Sequence, residues 1–162
     1  MNEIYFIRHG ESEANVLDLL CGSGWDVQLS DLGHKQMKNV SHKAKAMVFD
    51  HVIVSPLKRA RQSAHYIQER VDIWHELREQ NYGLWEKRPF SEVKDKFLLG
   101  VNAPEGESHE EFLSRIKLAY KKMNELEGKV LVVGHGGVGS ELLKLAQNQK
   151  HFINNAQIVK IQ

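Results

Sequence analysis

Two arginines and two histidines follow short apolar stretches in this sequence of 162 residues. They are Arg8, His9, Arg59 and His135. Guanidinium groups bind phosphate oxygens through paired hydrogen bonds, and a histidine that is largely neutral near pH 7 can act as a nucleophile. A phosphoryl group on an imidazole nitrogen is a labile intermediate that divides one displacement into two easier steps. These residue types indicate phosphate chemistry or, less specifically, the binding of a carboxylate or a sulfate.

The apolar stretches that precede these side chains have the character of buried strands. They cover residues 4–7, 51–54 and 129–133. Continuous apolar runs of this kind are typical of parallel strands that are covered on both faces. Open α/β sheets bind ligands beyond the carboxyl ends of their strands. If the three strands are neighbours, the two arginines and two histidines converge on one edge of the sheet.

Helical periodicity appears between the strands. The predicted helices cover about 31–46, 56–67, 89–99, 108–128 and 138–147. Two more stretches, 71–77 and 157–161, are strand-like. Ser55 is predicted to be the N-cap of the second helix, with Pro56 at its first position. Strands that alternate with helices predict an α/β fold, here a three-layer α/β/α sandwich with a mostly parallel central sheet.

Length and composition limit the class of protein. We expect a single domain over 1–162, with a small cap-like segment at about 84–107 that selects the leaving group. The formal net charge of +1 gives no overall argument for nucleic acid or an anionic membrane as a partner. A single cysteine, Cys21, excludes an intrachain disulfide. With no signal peptide and no apolar stretch near the roughly 20 residues of a membrane span, we expect a cytoplasmic protein.

Glu79 is the candidate proton donor. It follows the third strand-like stretch, 71–77, and a leaving alkoxide would need a proton from such a group. From its position alone, Glu79 could also be a glutamate in a surface loop, which is the more common case. The sequence leaves both interpretations open.

Several motifs together resemble the histidine phosphatase superfamily, also called the phosphoglycerate mutase-like family. The first is Arg8-His9-Gly10-Glu11-Ser12, with Asn15 downstream. The others, in order, are the segments 24–33, 55–64, 77–86, 104–108 and 135–138. The resemblance covers nearly the whole chain, and its strength lies in the order and spacing of all the motifs.

The resemblance implies a role for each candidate residue. His9 would be the nucleophile that becomes phosphohistidine, and Glu79 would be the general acid and then the base for water. The implied phosphate-binding residues are Arg8, Asn15, Ser23, Arg59, His135 and Gly136. Arg8, Arg59 and His135 would also stabilise the transition state. Members of the family need no metal, so we expect no cofactor and a small phosphorylated substrate.

The sequence departs from the family pattern at a few positions. Lys87 stands where glycine often follows the Trp-Glu pair, and Gln28, Ser30 and Ser63 replace a frequent proline and two frequent threonines. Lys87 bears on substrate preference rather than on the chemistry. The stretch from Glu79 to His135 is shorter than in the mutases, and this favours a phosphatase of the family over a mutase.

Several functions remain as alternatives to a metal-independent phosphomonoesterase. One is a phosphoglycerate-type mutase, and another is a phosphate- or phosphoprotein-binding module with little turnover. A metallohydrolase built on His9, His135 and Asp26 is a third. The sequence does not identify the substrate, which could be a sugar phosphate, a nucleotide-like monophosphate, α-ribazole phosphate or a phosphohistidine protein. It does not indicate the oligomeric state.

Overall fold

The computed structural model describes residues 2–162 and contains one five-stranded sheet. The strands are β1 (Glu3–Arg8), β2 (His51–Val54), β3 (Asp72–Ile73), β4 (Lys129–Gly134) and β5 (Ile158–Lys160). Their order in the sheet is β3-β2-β4-β1-β5. The pairs β3–β2, β2–β4 and β4–β1 are parallel, and β5 runs antiparallel to β1. The prediction of a mostly parallel sheet is confirmed.

In the described part of the chain, residues 2–162, six α-helices connect the strands. They are α1 (Glu13–Val16), α2 (Asp31–Ala46), α3 (Lys58–His65), α4 (Phe90–Leu98), α5 (His109–Asn124) and α6 (Gly136–Gln147). Two short 3₁₀ turns, His75–Leu77 and Gly83–Trp85, lie in the connection between β3 and α4.

Alternate residues of the central strands face opposite layers of helices, as the pleat of a strand requires. Phe6 and Val132 pack into a core with residues of α5 and α6. Their neighbours Ile7 and Val133 pack into a second core with residues of α2 and α3. Since both faces of the sheet are covered, the central strands are apolar throughout. The predicted three-layer α/β/α sandwich is confirmed.

The predicted helix start at Ser55 and Pro56 is wrong. The third helix begins at Lys58, and the residue before it provides no side-chain cap. Instead, Oδ1 of Asp26 accepts a hydrogen bond of 2.8 Å from the backbone N–H of Lys58. Ser55 is fully buried at the end of β2, where its Oγ lies 2.7 Å from Nε2 of His135. Its hydroxyl is therefore placed in the interior of the molecule rather than over the end of a helix.

The predicted strand over 71–77 is much shorter than expected. Only Asp72–Ile73 pairs with β2, and the chain then forms the 3₁₀ turn His75–Leu77. The carbonyl of Glu76 accepts a hydrogen bond of 2.7 Å from Nη1 of Arg115. A side chain distant in the sequence therefore binds a backbone carbonyl that a longer strand would have used for pairing in the sheet.

The last two helices also differ from their predicted bounds. The fifth helix ends at Asn124, four residues before Gly128, and Gly128 itself has a φ of +90°, outside the α-helical range. This turn lets the N–H of Lys129 donate to Oδ2 of Asp50 at 2.7 Å. The sixth helix begins at Gly136, with His135 between it and the preceding strand, and so lies close to the candidate phosphate site.

A small apolar cluster supports the segment around α4. Its buried members are Tyr82, Trp85, Val93 and Ala103. Lys87, in the same segment, has a φ of 66°, a left-handed conformation that favours glycine. This explains why glycine suits the position, and the lysine that replaces it has its Nζ 5.5 Å from the centre of the Trp25 ring. Within residues 2–162, none of the helices has the length and apolar character to cross a membrane.

Candidate active site

The carboxyl ends of β1, β2 and β4 meet at one edge of the sheet. Arg8, the last residue of β1, is opposite Gly134, the last residue of β4. His9 and His135 follow these two strands, and their ring centres lie 5.3 Å apart. Arg59 enters from the first turn of α3 with only 2% of its surface exposed. The fold therefore brings together the two arginines and two histidines that the sequence singles out.

His9 is held as a neutral imidazole with one defined tautomer. Its Nδ1 lies 2.6 Å from the backbone carbonyl of Gly10, and a carbonyl can only accept, so Nδ1 carries the proton. Burial, followed by the charges of Arg59 and Arg8, holds the pKa of His9 well below its ordinary value of 6.5, although the bond to Gly10 opposes this shift. The lone pair of Nε2 is consequently available for attack.

His135 has the opposite tautomer because of Ser55. The hydroxyl oxygen of Ser55 accepts a hydrogen bond of 3.3 Å from the N–H of Leu57, and within residues 2–162 Nε2 of His135 is the acceptor in reach of the hydroxyl proton. Nε2 of His135 lies 2.7 Å from that hydroxyl and can accept the proton. Burial is the main cause that holds the pKa of His135 well below 6.5, and the charge of Arg59 adds to it. The remaining proton of the neutral ring is then on Nδ1, which becomes a donor.

The two arginines each make a single hydrogen bond to a backbone carbonyl. Nη1 of Arg8 donates to the carbonyl of Ile153 at 2.8 Å, and Nη2 of Arg59 donates to the carbonyl of Gly22 at 3.2 Å. Burial lowers the pKa of Arg8 from its ordinary value, and the nearby carboxylate of Glu79 opposes that effect. These single bonds orient the guanidinium groups and leave most of their N–H donors unused.

Three unpartnered donors mark the centre of the site. Four buried side-chain nitrogen and oxygen atoms within residues 2–162 have no hydrogen-bond partner, and three of them are Nε of Arg8, Nη1 of Arg59 and Nδ1 of His135. Buried polar groups are almost always hydrogen-bonded, so such a cluster needs an explanation. Three donors beside a neutral imidazole are a suitable receptor for an anion with several oxygens, such as a phosphoryl group.

Glu79 lies at the edge of this site rather than in an exposed loop. It is 7% exposed, and its carboxylate accepts two backbone hydrogen bonds of 3.0 Å, from Gln80 to Oε1 and from Gly137 to Oε2. A Cβ on residue 137 would lie 2.5 Å from Oε1, so only glycine allows this approach. Each carboxylate oxygen keeps a second lone pair that could hold or accept a proton.

Ser23 and Gly136 lie beside the arginines. The N–H of Ser23 donates to the carbonyl of Gln80 at 3.2 Å, so that N–H is occupied by the protein. The contact of this loop with the site is made by the preceding residue, whose carbonyl holds Arg59. A Cβ on Gly136 would lie 3.4 Å from Cζ of Arg8, which places the start of α6 directly against that guanidinium.

Asn15 reaches the site through another asparagine. Its Oδ1 accepts a hydrogen bond of 3.0 Å from the N–H of Ser12 and so completes a capping box on α1. The same oxygen accepts from Nδ2 of Asn155 at 3.3 Å, and Nδ2 of Asn155 also donates to the carbonyl of His9 at 3.1 Å.

The segment 153–156 is a part of the site that the sequence did not reveal. The carbonyl of Ile153 holds Arg8, and the N–H of Ala156 contacts the carbonyls of Arg8 and His9 at 3.0 and 3.2 Å. Ala156 has a φ of 57°, and alanine gives no signal for that conformation. The ring of Phe152 also lies 5.2 Å from Cζ of Arg8. The chain therefore returns to brace the first motif from a distant part of the sequence.

Arg115 and Glu107 are a second group that the sequence did not reveal. Arg115 donates to the carbonyls of Glu76, Arg78 and Glu79, which lie 36 to 39 residues earlier in the chain. No local spacing predicts contacts over such a separation. Glu107 falls within the motif at 104–108, but the motif does not indicate that Glu107 pairs with Arg115.

The residues proposed for a metal centre do not form one. The carboxylate of Asp26 is bonded to the N–H of Lys58 at the start of α3. Over the part of the chain that the structure describes, no three histidine, cysteine, aspartate or glutamate side chains are grouped so that they could hold a metal ion. His9, His135 and Asp26 are therefore not a metal-binding set in this fold.

Comparisons with curated proteins identify relatives with phosphatase and mutase names. The chain is 30% identical over 149 residues to a Bacillus subtilis (strain 168) protein named uncharacterized phosphatase PhoE, covering 88% of this chain and 76% of the relative. It is 31% identical over 152 residues to a protein of Escherichia coli (strain K12 / DH10B) named probable phosphoglycerate mutase GpmB, covering 84% and 70%.

Solved structures from Thermus thermophilus share the fold. The protein TTHB049 has a TM-score of 0.84 at 26% identity, covering 98% of this chain and 92% of that one. A structure described as phosphoglycerate mutase has a TM-score of 0.81 at 25% identity, covering 98% and 91%.

The family model described as "Histidine phosphatase superfamily (branch 1)" matches residues 4–161. Because this match includes nearly the whole chain and each of the motifs around the site, the protein belongs to the histidine phosphatase superfamily.

Proposed function

We propose that this protein hydrolyses small phosphomonoesters through a phosphohistidine formed on Nε2 of His9. The observation that carries the proposal is the set of three unpartnered, buried donors around a neutral imidazole. They are Nε of Arg8, Nη1 of Arg59 and Nδ1 of His135. Donors that are already fixed where charge develops need no reorganisation during the reaction, which makes them effective in catalysis.

In the first step, the lone pair of Nε2 on His9 attacks the phosphorus atom and the bond to the ester oxygen breaks. Glu79, as the carboxylic acid, gives its proton to the departing oxygen, which leaves as an alcohol. The bond from Nδ1 of His9 to the carbonyl of Gly10 stabilises the positive charge that develops on the ring. Arg8 and Arg59 balance the negative charge on the phosphoryl oxygens.

In the second step, water attacks the phosphorus atom of the phosphohistidine. The Glu79 carboxylate takes a proton from that water, and the bond between phosphorus and Nε2 breaks. Inorganic phosphate leaves, and His9 and the protonated Glu79 return to their starting states. One acidic group therefore serves both halves of the reaction.

A phosphoglycerate mutase is the second candidate, because the relatives carry both kinds of name. A mutase must keep its substrate enclosed so that the phosphoryl group returns to it. Here the segment between Glu79 and His135 includes one short helix before α5, namely α4 (Phe90–Leu98). That modest cover supports release of the phosphoryl group to water.

A substrate panel tests the proposal. Aryl, sugar and nucleoside monophosphates are assayed for phosphate release with and without EDTA, and 3-phosphoglycerate is assayed for both phosphate release and isomerisation. We expect EDTA-resistant phosphate release that is abolished in His9→Ala and preserved in His42→Ala, an exposed histidine. Isomerisation without phosphate release would favour the mutase. Tight binding of phosphorylated ligands without turnover of any would favour a binding module.

A further inference from the structure

We infer that Arg115 and Glu107 position Glu79 for proton transfer to the leaving group. This inference rests on the proposed function, in which Glu79 is the general acid. Neither Arg115 nor Glu107 bonds to the Glu79 carboxylate, so they are positioning residues rather than catalytic residues. Their contacts are to the backbone on both sides of Glu79.

Arg115 uses all five of its N–H donors within the protein. Two of these bonds join it to Glu107, from Nε to Oε1 at 2.6 Å and from Nη2 to Oε2 at 2.8 Å. The other three go to the backbone carbonyls of Glu76, Arg78 and Glu79, at 2.7, 2.6 and 3.0 Å. A planar guanidinium with a fixed fork of donors is suited to holding several acceptors in one geometry. Arg115 thereby fixes the backbone that leads to the acid and the backbone of the acid itself.

Glu107 fixes the chain on the other side of the acid. Its backbone N–H donates to the carbonyl of Asn81 at 2.8 Å. Its backbone carbonyl accepts from Nε2 of Gln80 at 3.0 Å, and its Oε2 accepts from the N–H of Asn81 at 3.3 Å. Gln80 in turn donates its own N–H to Oε1 of Glu79. The pair therefore sets the direction of the peptide group that holds the carboxylate.

The environment of the pair is suited to a fixed role. The side chains of Arg115 and Glu107 are only 11% and 13% exposed, so water competes little for their bonds. The Arg115 guanidinium carbon also lies 4.9 Å from the centre of the Phe112 ring. A lysine at residue 115 could keep the charge, but it has a single nitrogen and could not serve four residues in this geometry.

When a general acid is displaced, the rate falls most for substrates whose leaving group must be protonated. A nitrophenolate is a weak base and leaves without a proton, whereas an alkoxide such as that of glycerol must be protonated. We therefore compare p-nitrophenyl phosphate with glycerol phosphate in Arg115→Lys, Arg115→Met and Glu107→Gln. A displacement of about 1 Å in a catalytic group can cost roughly 100-fold in rate. We expect kcat/KM for glycerol phosphate to fall by roughly 10- to 100-fold and that for p-nitrophenyl phosphate by less than about 3-fold.

The experiment has a positive control and a negative control. Glu79→Gln should show the same selective loss, in a larger amount, because it removes the proton itself. Lys160→Met breaks a surface pair with Glu3, in which the two side chains are 51% and 45% exposed, and should change neither substrate. Arg115→Lys retains the charge and is the variant to use where Arg115→Met does not fold.

The outcomes separate this inference from the proposed function. Equal losses for both substrates in Arg115→Lys and Glu107→Gln would overturn the positioning role and indicate a purely structural one. No loss for either substrate would overturn it as well. If the unaltered enzyme forms no phosphohistidine, the proposed function fails. If it forms phosphohistidine and the variants keep the substrate preference of the unaltered enzyme, only the inference fails.

Discussion

Arg59, which is buried, and Arg115, whose side chain is 11% exposed, use the same chemical group in opposite ways. Arg59 makes one hydrogen bond, to the carbonyl of Gly22, and has a buried nitrogen without a partner. Arg115 makes five, to Glu107 and to three backbone carbonyls. Since unsatisfied buried donors are costly, they persist where a ligand will satisfy them. The number of filled donors thus distinguishes an arginine that binds substrate from one that supports the fold.

This difference predicts that stability and activity depend on different regions. In the phosphate site, the cations stand close together without a carboxylate paired to each, which costs stability in the absence of an anion. In the segment around Glu79, the guanidinium of Arg115 and the carboxylate of Glu107 are paired and hydrogen-bonded. Substitutions in each region should therefore separate the residues that support activity from those that support stability.

The largest effect on stability is expected for Arg115→Met. The substitution leaves the carboxylate of Glu107, which is 13% exposed, without its partner and removes the donors from three carbonyls. Breaking a fully buried pair typically costs about 3–5 kcal/mol, so for this largely buried pair we expect a loss toward the lower end of that range, measured as the free energy of unfolding from urea titration. The surface variant Arg88→Met, as a control, should change it by less than about 1 kcal/mol. Equal stability of the two variants would contradict the comparison.

For Arg59→Met we expect a large loss of activity without a loss of stability. Loss of one preorganised donor at the reacting group typically lowers kcat by about 10²–10³-fold. The free energy of unfolding should stay the same or rise, because a buried cation with unfilled donors is removed. Phosphatase kinetics and urea titration provide the two measurements. Arg61→Met, on the exposed side of the same helix, is the matched control and should leave both unchanged. A large loss of stability in Arg59→Met would show that Arg59 supports the fold.

Lowering the pH should destabilise the folded protein through the two histidines of the phosphate site. The pKa values of His9 and His135 lie well below 6.5, mainly because of burial, so the unfolded chain binds their protons first as the pH falls. Each neutral histidine therefore contributes stability that is present above pH 6.5 and is lost below it, by up to about 1.4 kcal/mol per pH unit.

Urea titrations between pH 7 and 5 test this expectation. His135→Asn should reduce the slope of stability against pH, whereas His42→Asn, at an exposed position, should not. An unchanged slope in His135→Asn would mean that this histidine does not titrate differently in the folded and unfolded states.

Asn155→Ala should have smaller effects on stability and on activity than the arginine substitutions. Its amide joins the carbonyl of His9 to the side chain of Asn15, and the loss of such bonds typically costs about 1 kcal/mol. We expect that decrease in the free energy of unfolding, together with a loss of a few-fold in kcat/KM because the first motif loses part of its brace. Asn154→Ala is the neighbouring control, since its side chain is exposed and bonds to Gln157. Wild-type activity and stability in Asn155→Ala would exclude a bracing role.

The parts of the structure that follow local patterns could be predicted from the sequence. The segments 4–7 and 129–133 are continuous apolar runs, and both form central strands because both faces are covered by helices. The rule that parallel strands end at one edge was then enough to place His9 and His135 together. The capping box at Ser108 is also local and is present at the start of α5.

The remaining contacts depend on tertiary structure. Ser55 has the local sequence of a helix N-cap, but its hydroxyl bonds to His135, which is 80 residues away. The stretch 71–77 has the pattern of a strand, but Arg115 takes the carbonyl of Glu76. The brace from Ile153 to Ala156 depends on a left-handed alanine that has no signature in the sequence. In each case a distant side chain or backbone turn overrides the local preference.

The most direct test of the central claim is the chemical identity of the trapped phosphoenzyme. The protein is mixed with labelled p-nitrophenyl phosphate and quenched, and the phosphorylated peptide is analysed for its position and its isomer. Since Nδ1 of His9 donates to the carbonyl of Gly10, we predict acid-labile, base-stable phosphate on Nε2 of His9, and none in His9→Ala. Phosphate on Nδ1, phosphate on another residue, or turnover without any trapped phosphohistidine would contradict the account.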